Sequence, residues 1–124
     1  MSLRWYGSGY DSVTLDQIRQ IAGVRGVISS LHHTVAGEAW KKEEILARKE
    51  EVEQKGLELL GIESVNIHED IKIGLPTRDQ YIDNYIKTLE ILGEAGINLV
   101  CYNFMPVFDW TRTELAYELP DGSN

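Results

Sequence analysis

The chain has 124 residues, 43% of them hydrophobic, and its 20 acidic and 12 basic side chains give a formal charge of -8. These values fit one soluble globular domain and exclude the basic footprint of a protein that binds nucleic acid or an anionic membrane. No apolar run approaches the roughly 18–20 residues of a membrane span, no signal-peptide core opens the chain, and a single cysteine, Cys101, rules out an intrachain disulfide, so a cytoplasmic protein is expected.

"LRWYG" (3–7) reads as a short first strand. Thr14 and Gln17 then have the spacing of a capping box, with Ile18, Ile21 and Ala22 forming an apolar stripe that Gly23 ends. "VRGVISSL" (24–31) is the second strand, and the interleaved charges of "KKEEILARKEEVEQK" mark a solvated helix from about Lys42 to Lys55, with Ile45, Leu46 and Val52 inward and Gly56 as its stop. "GLELLGIES" (56–64) is the third strand. Thr77 and Gln80 repeat the capping-box spacing after Pro76, and Ile82, Tyr85, Ile86, Leu89 and Leu92 continue one helical face up to Gly96. "INLVCYNF" (97–104) is the fourth strand, with Cys101 expected as a buried thiol.

The order β-α-β-α-β-α-β predicts a parallel sheet with right-handed crossovers, and the apolar strands lack the alternation of a half-exposed antiparallel sheet. A doubly wound sheet would announce itself with a Gly-rich phosphate turn, which "YGSGYDS" (6–12) does not supply. A (β/α)8 barrel explains the repetition as well but needs about 250 residues. As such a barrel, residues 1–124 would be a single incomplete domain, its N-terminal half, with first and fourth strands as open edges that pairing with another copy, a homo-oligomer, would cover.

In either architecture ligands meet the carboxyl ends of the strands. Trp5, Tyr6 and Asp11 follow the first, and His32 and His33 the second, where neighbours on an extended segment point in opposite directions and do not readily share one metal. Glu63, His68, Glu69 and Asp70 follow the third. After the fourth, Asn103 could address a hydroxyl or carboxylate, and Trp110 with Arg112 combine an apolar wall with a cationic fork. No complete catalytic signature such as H-E-x-x-H, paired C-x-x-C or G-x-S-x-G occurs, so these residues define a polar, aromatic ligand face without naming a reaction.

"RWYG" (4–7), "DSVTLDQIRQIAGVRGV" (11–27), "IESVNIHEDIKIG" (62–74) and the long stretch from Arg78 to Ser123 together closely resemble the N-terminal third of the mannonate dehydratases. The resemblance implies a (β/α)8 barrel of the xylose-isomerase-like group, acting on D-mannonate in hexuronate catabolism with Mn2+ or Fe2+. It places the metal ligands on later strands, so no metal residue is assigned to this segment and the segment alone is expected to be inactive. Trp5, His68, Asn103, Trp110 and Arg112 occupy matching segments at strand exits and are the expected substrate contacts. Another metal-dependent sugar isomerase or epimerase of the same barrel group, or a non-catalytic half-barrel that only self-associates, is the alternative.

Overall fold

The computed structural model describes residues 1–107, 113–114 and 116–123. Its elements run β1 (Ser2–Arg4), α1 (Leu15–Arg19), β2 (Gly26–Ser29), α2 (Lys42–Glu53), β3 (Glu58–Glu63), α3 (Glu69–Lys72), α4 (Arg78–Glu94) and β4 (Val100–Cys101). The strands form one sheet in the order β1-β2-β3-β4, every neighbouring pair parallel. Sequential parallel neighbours joined through helices are the arrangement of one half of a (β/α)8 barrel, as the alternation predicts.

Register gives the sheet two unlike faces. Val27 pairs with Leu59, and beyond an irregularity between Val27 and Ile28, Ser29 pairs with Ile62. These residues look toward the helices and are buried with Trp5, Leu15, Ile18, Ile45, Val52 and Leu92. Each such apolar side chain contributes about 1.5–3 kcal/mol by leaving water. The opposite face carries Arg4, Ile28 and Gly61 in one row, then Glu63 beside Cys101. At Gly26 a Cβ would stand 2.0 Å from the Glu58 carbonyl oxygen, so only glycine lets β2 and β3 lie this close.

The capping box at Thr14 forms: Gln17 N–H donates to the Thr14 hydroxyl at 3.3 Å, and Thr14 N–H donates to Gln17 Oε1 at 2.8 Å. The helix behind it is shorter than its stripe predicts, and Ile21 lies outside it, exposed. α2 matches its expected span, with Ile45 and Val52 buried, Leu46 exposed, and Gly56 in the left-handed region at φ 72° just past its end.

Four expectations need correction. Thr77 does not cap α4, because its own backbone is helical (φ -78°, ψ -5°), whereas a side-chain cap needs an extended residue; its hydroxyl donates instead to Asp70 Oδ2. The segment before it holds a helical turn, α3, beyond the three helices that the order β-α-β-α-β-α-β predicts. On α4 the predicted stripe is only partly inward: Leu92 is buried and Tyr85 half-buried, but Ile82, Ile86 and Leu89 are exposed. Cys101 is exposed rather than buried, since β4 pairs only with β3 among the described residues and Cys101 shares its face with Arg4 and Glu63 instead of the core.

Candidate functional site at the strand ends

The carboxyl ends of β1, β2 and β3 converge on the phenol of Tyr6. Arg4, Ile28 and Gly61 lie level across the sheet, so two residues further along each strand Tyr6, Ser30 and Glu63 fall on the same face, with Cys101 beside Glu63. Tyr6 Oη reaches over β2 and donates to Glu63 Oε1, although β1 and β3 are not neighbours in the sheet. The crossing is open because β2 presents only a serine there. Ser30 is fully buried, and its hydroxyl has no hydrogen-bond partner among the described residues.

Other groups fix the phenol. Tyr6 N–H donates to Asp11 Oδ2 at 2.5 Å, the His32 ring meets its edge with centroids 4.3 Å apart, and the Arg4 guanidinium lies over it at 4.7 Å. Arg4 Nε also approaches Glu63 Oε1 at 3.6 Å, a loose and largely exposed ion pair that adds little stability. Ser64, next to Glu63, holds φ at 61° without being glycine, and its side chain acts to lower the Tyr6 pKa. Such local strain costs of order 1–3 kcal/mol.

Burial, then the hydrogen bond to Glu63 and that carboxylate's charge, push the Tyr6 pKa up to about 12, outweighing Arg4 and Ser64. The phenol therefore remains a donor at neutral pH. Burial and the Arg48 guanidinium hold His32 below its ordinary value, which favours the neutral ring. Arg48 itself lies over the Trp5 ring at 5.1 Å, with one guanidinium nitrogen buried and unpartnered among the described residues.

His68 belongs to a second junction. Its Nδ1 accepts from Asp70 N–H at 3.2 Å and so caps α3, and its ring stacks on Tyr81 with centroids 3.7 Å apart. The neutral ring must then carry its proton on Nε2, making His68 a donor toward any ligand. Around it the loop after β2 is tied to α4: Asn84 donates to the Gly37 carbonyl at 2.9 Å and Trp40 N–H to the Thr88 hydroxyl at 3.1 Å. The void left between these groups is about 10 Å³, room for about one water.

Of the expected substrate contacts, Trp5 is part of the core, with 3% of its surface exposed and its indole N–H donating to the Val13 carbonyl. Asn103 is partly buried two residues beyond β4. Trp110 and Arg112 lie outside the described residues. The structure brings forward Tyr6 and Glu63 together with Arg4, Ser30 and His32. Tyr6, Glu63 and His32 are legible as strand-exit residues, but nothing in the sequence announces that Tyr6 and Glu63 meet. Among the described residues no three His, Cys, Asp or Glu side chains come together as a metal site would require.

A parallel sheet alternating with helices, with a polar row at its carboxyl strand ends, is the arrangement of half of a (β/α)8 barrel, the fold whose enzymes carry their chemistry at that rim. The sequence model of the D-mannonate dehydratase (UxuA) family matches residues 1–124. A mannonate dehydratase of Brachyspira hyodysenteriae is 67% identical over 123 residues, 99% of this chain and 35% of the relative; one of Thermotoga maritima is 62% identical over 120 residues, 97% and 33%. The crystal structure of mannonate dehydratase from Streptococcus suis serotype 2 superposes with a TM-score of 0.92 at 52% identity, over 98% of this chain and 35% of that one. The chain belongs to the D-mannonate dehydratase family and spans about a third of the length of the relatives it matches.

Proposed function

We propose that this chain is the N-terminal part of a cytoplasmic mannonate dehydratase, a lyase that removes water from D-mannonate to give 2-keto-3-deoxy-D-gluconate. The family match along residues 1–124 carries the reading. In that reaction a base takes the C2 proton, hydroxide leaves C3 with help from an acid, and the resulting enol becomes the 2-keto product. The resemblance implies Mn2+ or Fe2+ to stabilise the charge that develops beside the carboxylate. The described residues hold no cluster of three His, Cys, Asp or Glu side chains that would fit such an ion, and it is the resemblance that places its ligands on later strands.

What this segment supplies is wall and orientation. The rim row of Tyr6, Ser30 and Glu63 faces the side on which the pocket of a closed barrel would form. His68 and Asn103 stay in the proposal as contacts from the third and fourth strand exits, Trp5 as the packed base beneath the first, and Trp110 with Arg112 as wall and carboxylate partner. The test is to assay D-mannonate with Mn2+ on two samples of verified intact mass, these 124 residues and a protein that continues into the rest of the barrel. Keto-deoxy acid should form only with the longer protein. Turnover by the 124-residue chain, or interconversion of sugar isomers by the longer one, would overturn the reading.

A further inference from the structure

We infer that Glu63 is a substrate-hydroxyl acceptor at the rim and that Tyr6 is the residue that positions it. The inference rests on the proposed reading for the identity of the substrate as a polyhydroxy acid. Three independent features of the structure carry it.

The first is place. Glu63 ends β3, Tyr6 follows β1, and their contact spans β2 on the face away from the helix-side core. A hydrogen bond meant only to hold neighbouring strands would not need to cross one. The second is remaining capacity. Tyr6 and Arg4 both meet Glu63 at Oε1, whereas a carboxylate offers about four acceptor sites, and the Glu63 side chain keeps 22% of its surface exposed.

The third is what surrounds the pair. The Ser30 hydroxyl, fully buried in the same row, has no partner among the described residues, and Ser64 is held in the left-handed region beside Glu63. Strained non-glycine residues cost free energy and gather at ligand sites, and an unmet buried hydroxyl beside one adds a polar group to the same row. A polyol offers several adjacent hydroxyls, each both donor and acceptor. One donating to Glu63 is oriented by a carboxylate that Tyr6, which stays protonated at neutral pH, cannot release by ionising.

The experiment uses a longer protein that carries this segment and turns over substrate. Glu63→Ala should raise KM about tenfold or more, the loss of a hydrogen bond to a charged group, with a smaller change in kcat. Glu63→Gln, which keeps an acceptor for Tyr6, should raise KM less. Tyr6→Phe should raise KM in the same direction and add nothing on top of Glu63→Ala. Among substrates each lacking one hydroxyl, one should bind the parent protein more weakly yet bind Glu63→Ala no worse than the full substrate does.

Unchanged KM in Glu63→Ala with an unchanged thermal midpoint would overturn the inference, as would equal and additive losses of stability and activity in both variants. If the parent protein converts a different polyol or sugar and leaves D-mannonate alone, the functional reading fails. The same variants on that substrate then still decide the role of Glu63.

Discussion

Tyr6 couples a single proton to the stability of the sheet top. Its folded pKa of about 12 exceeds the ordinary tyrosine value of about 10, so the folded chain holds this proton more tightly than the unfolded one. Below pH ~10 both states are protonated and the contribution is complete; between ~10 and ~12 the unfolded chain releases the proton first, and stability falls as pH rises. The Tyr85 pKa is also raised, mainly by burial, so the comparison must be a difference. Urea midpoints of the parent chain and of Tyr6→Phe, measured from pH 9 to 12, should converge as pH rises because only the parent loses the Tyr6 contribution. Parallel pH profiles would remove the assignment. The sequence marks Tyr6 and Glu63 separately, one after the first strand and one on the third. Their meeting depends on the irregularity between Val27 and Ile28, which sets whether Glu63 faces the core or the rim, and no local pattern encodes that shift.

Two helices begin with the same T-x-x-Q spacing and reach different ends. Thr14 is extended (φ -90°, ψ 158°), so its hydroxyl meets the N–H of Gln17, whereas Thr77 follows Pro76 inside a turn closed by Arg78 N–H on the Leu75 carbonyl. The motif states which atoms could pair; the backbone entering it decides whether they do. Thr14→Ala should therefore cost about 1 kcal/mol, seen as a lower urea midpoint with an unchanged slope. Thr77→Ala should leave the start of α4 as helical as before and loosen only the α3–α4 junction, where the Asp70 carboxylate loses its hydroxyl donor. Amide exchange resolves the two cases: faster exchange at Gln17 in the first variant, unchanged exchange along α4 in the second. Strand existence and order were legible from apolar runs and glycine stops, but strand ends were not. β4 shrinks to Val100–Cys101 because a ladder on one side alone sustains few pairs, and α3 escaped notice because its cap is a histidine, outside the usual Ser, Thr, Asp and Asn.

At the scale of the molecule, helical period and burial disagree along α4, and the disagreement has a physical consequence. Ile82, Ile86 and Leu89 recur at helical spacing yet stay exposed, while Leu99, Tyr102 and Phe104 are exposed along and beyond β4. The period identifies one apolar face and carries no information on what covers it. An apolar stripe together with an open parallel edge is a self-association hazard, since β4 pairs only with β3 among the described residues and the stripe offers surface that water leaves readily. The 124-residue chain, of mass 14.1 kDa, should thus sediment with an apparent mass that rises with concentration and should bind an apolar dye. Replacing Ile86 and Leu89 together by lysine should lower both signals while leaving the thermal midpoint within a few degrees, because neither side chain is buried in the core. If association persists undiminished in that double variant, the β4 edge rather than the α4 stripe is the contact. A proline at Val100, whose N–H faces the open side while Ile62 N–H bonds the Leu99 carbonyl, then becomes the discriminating change, since it removes an edge donor with the Leu99–Ile62 bond left in place.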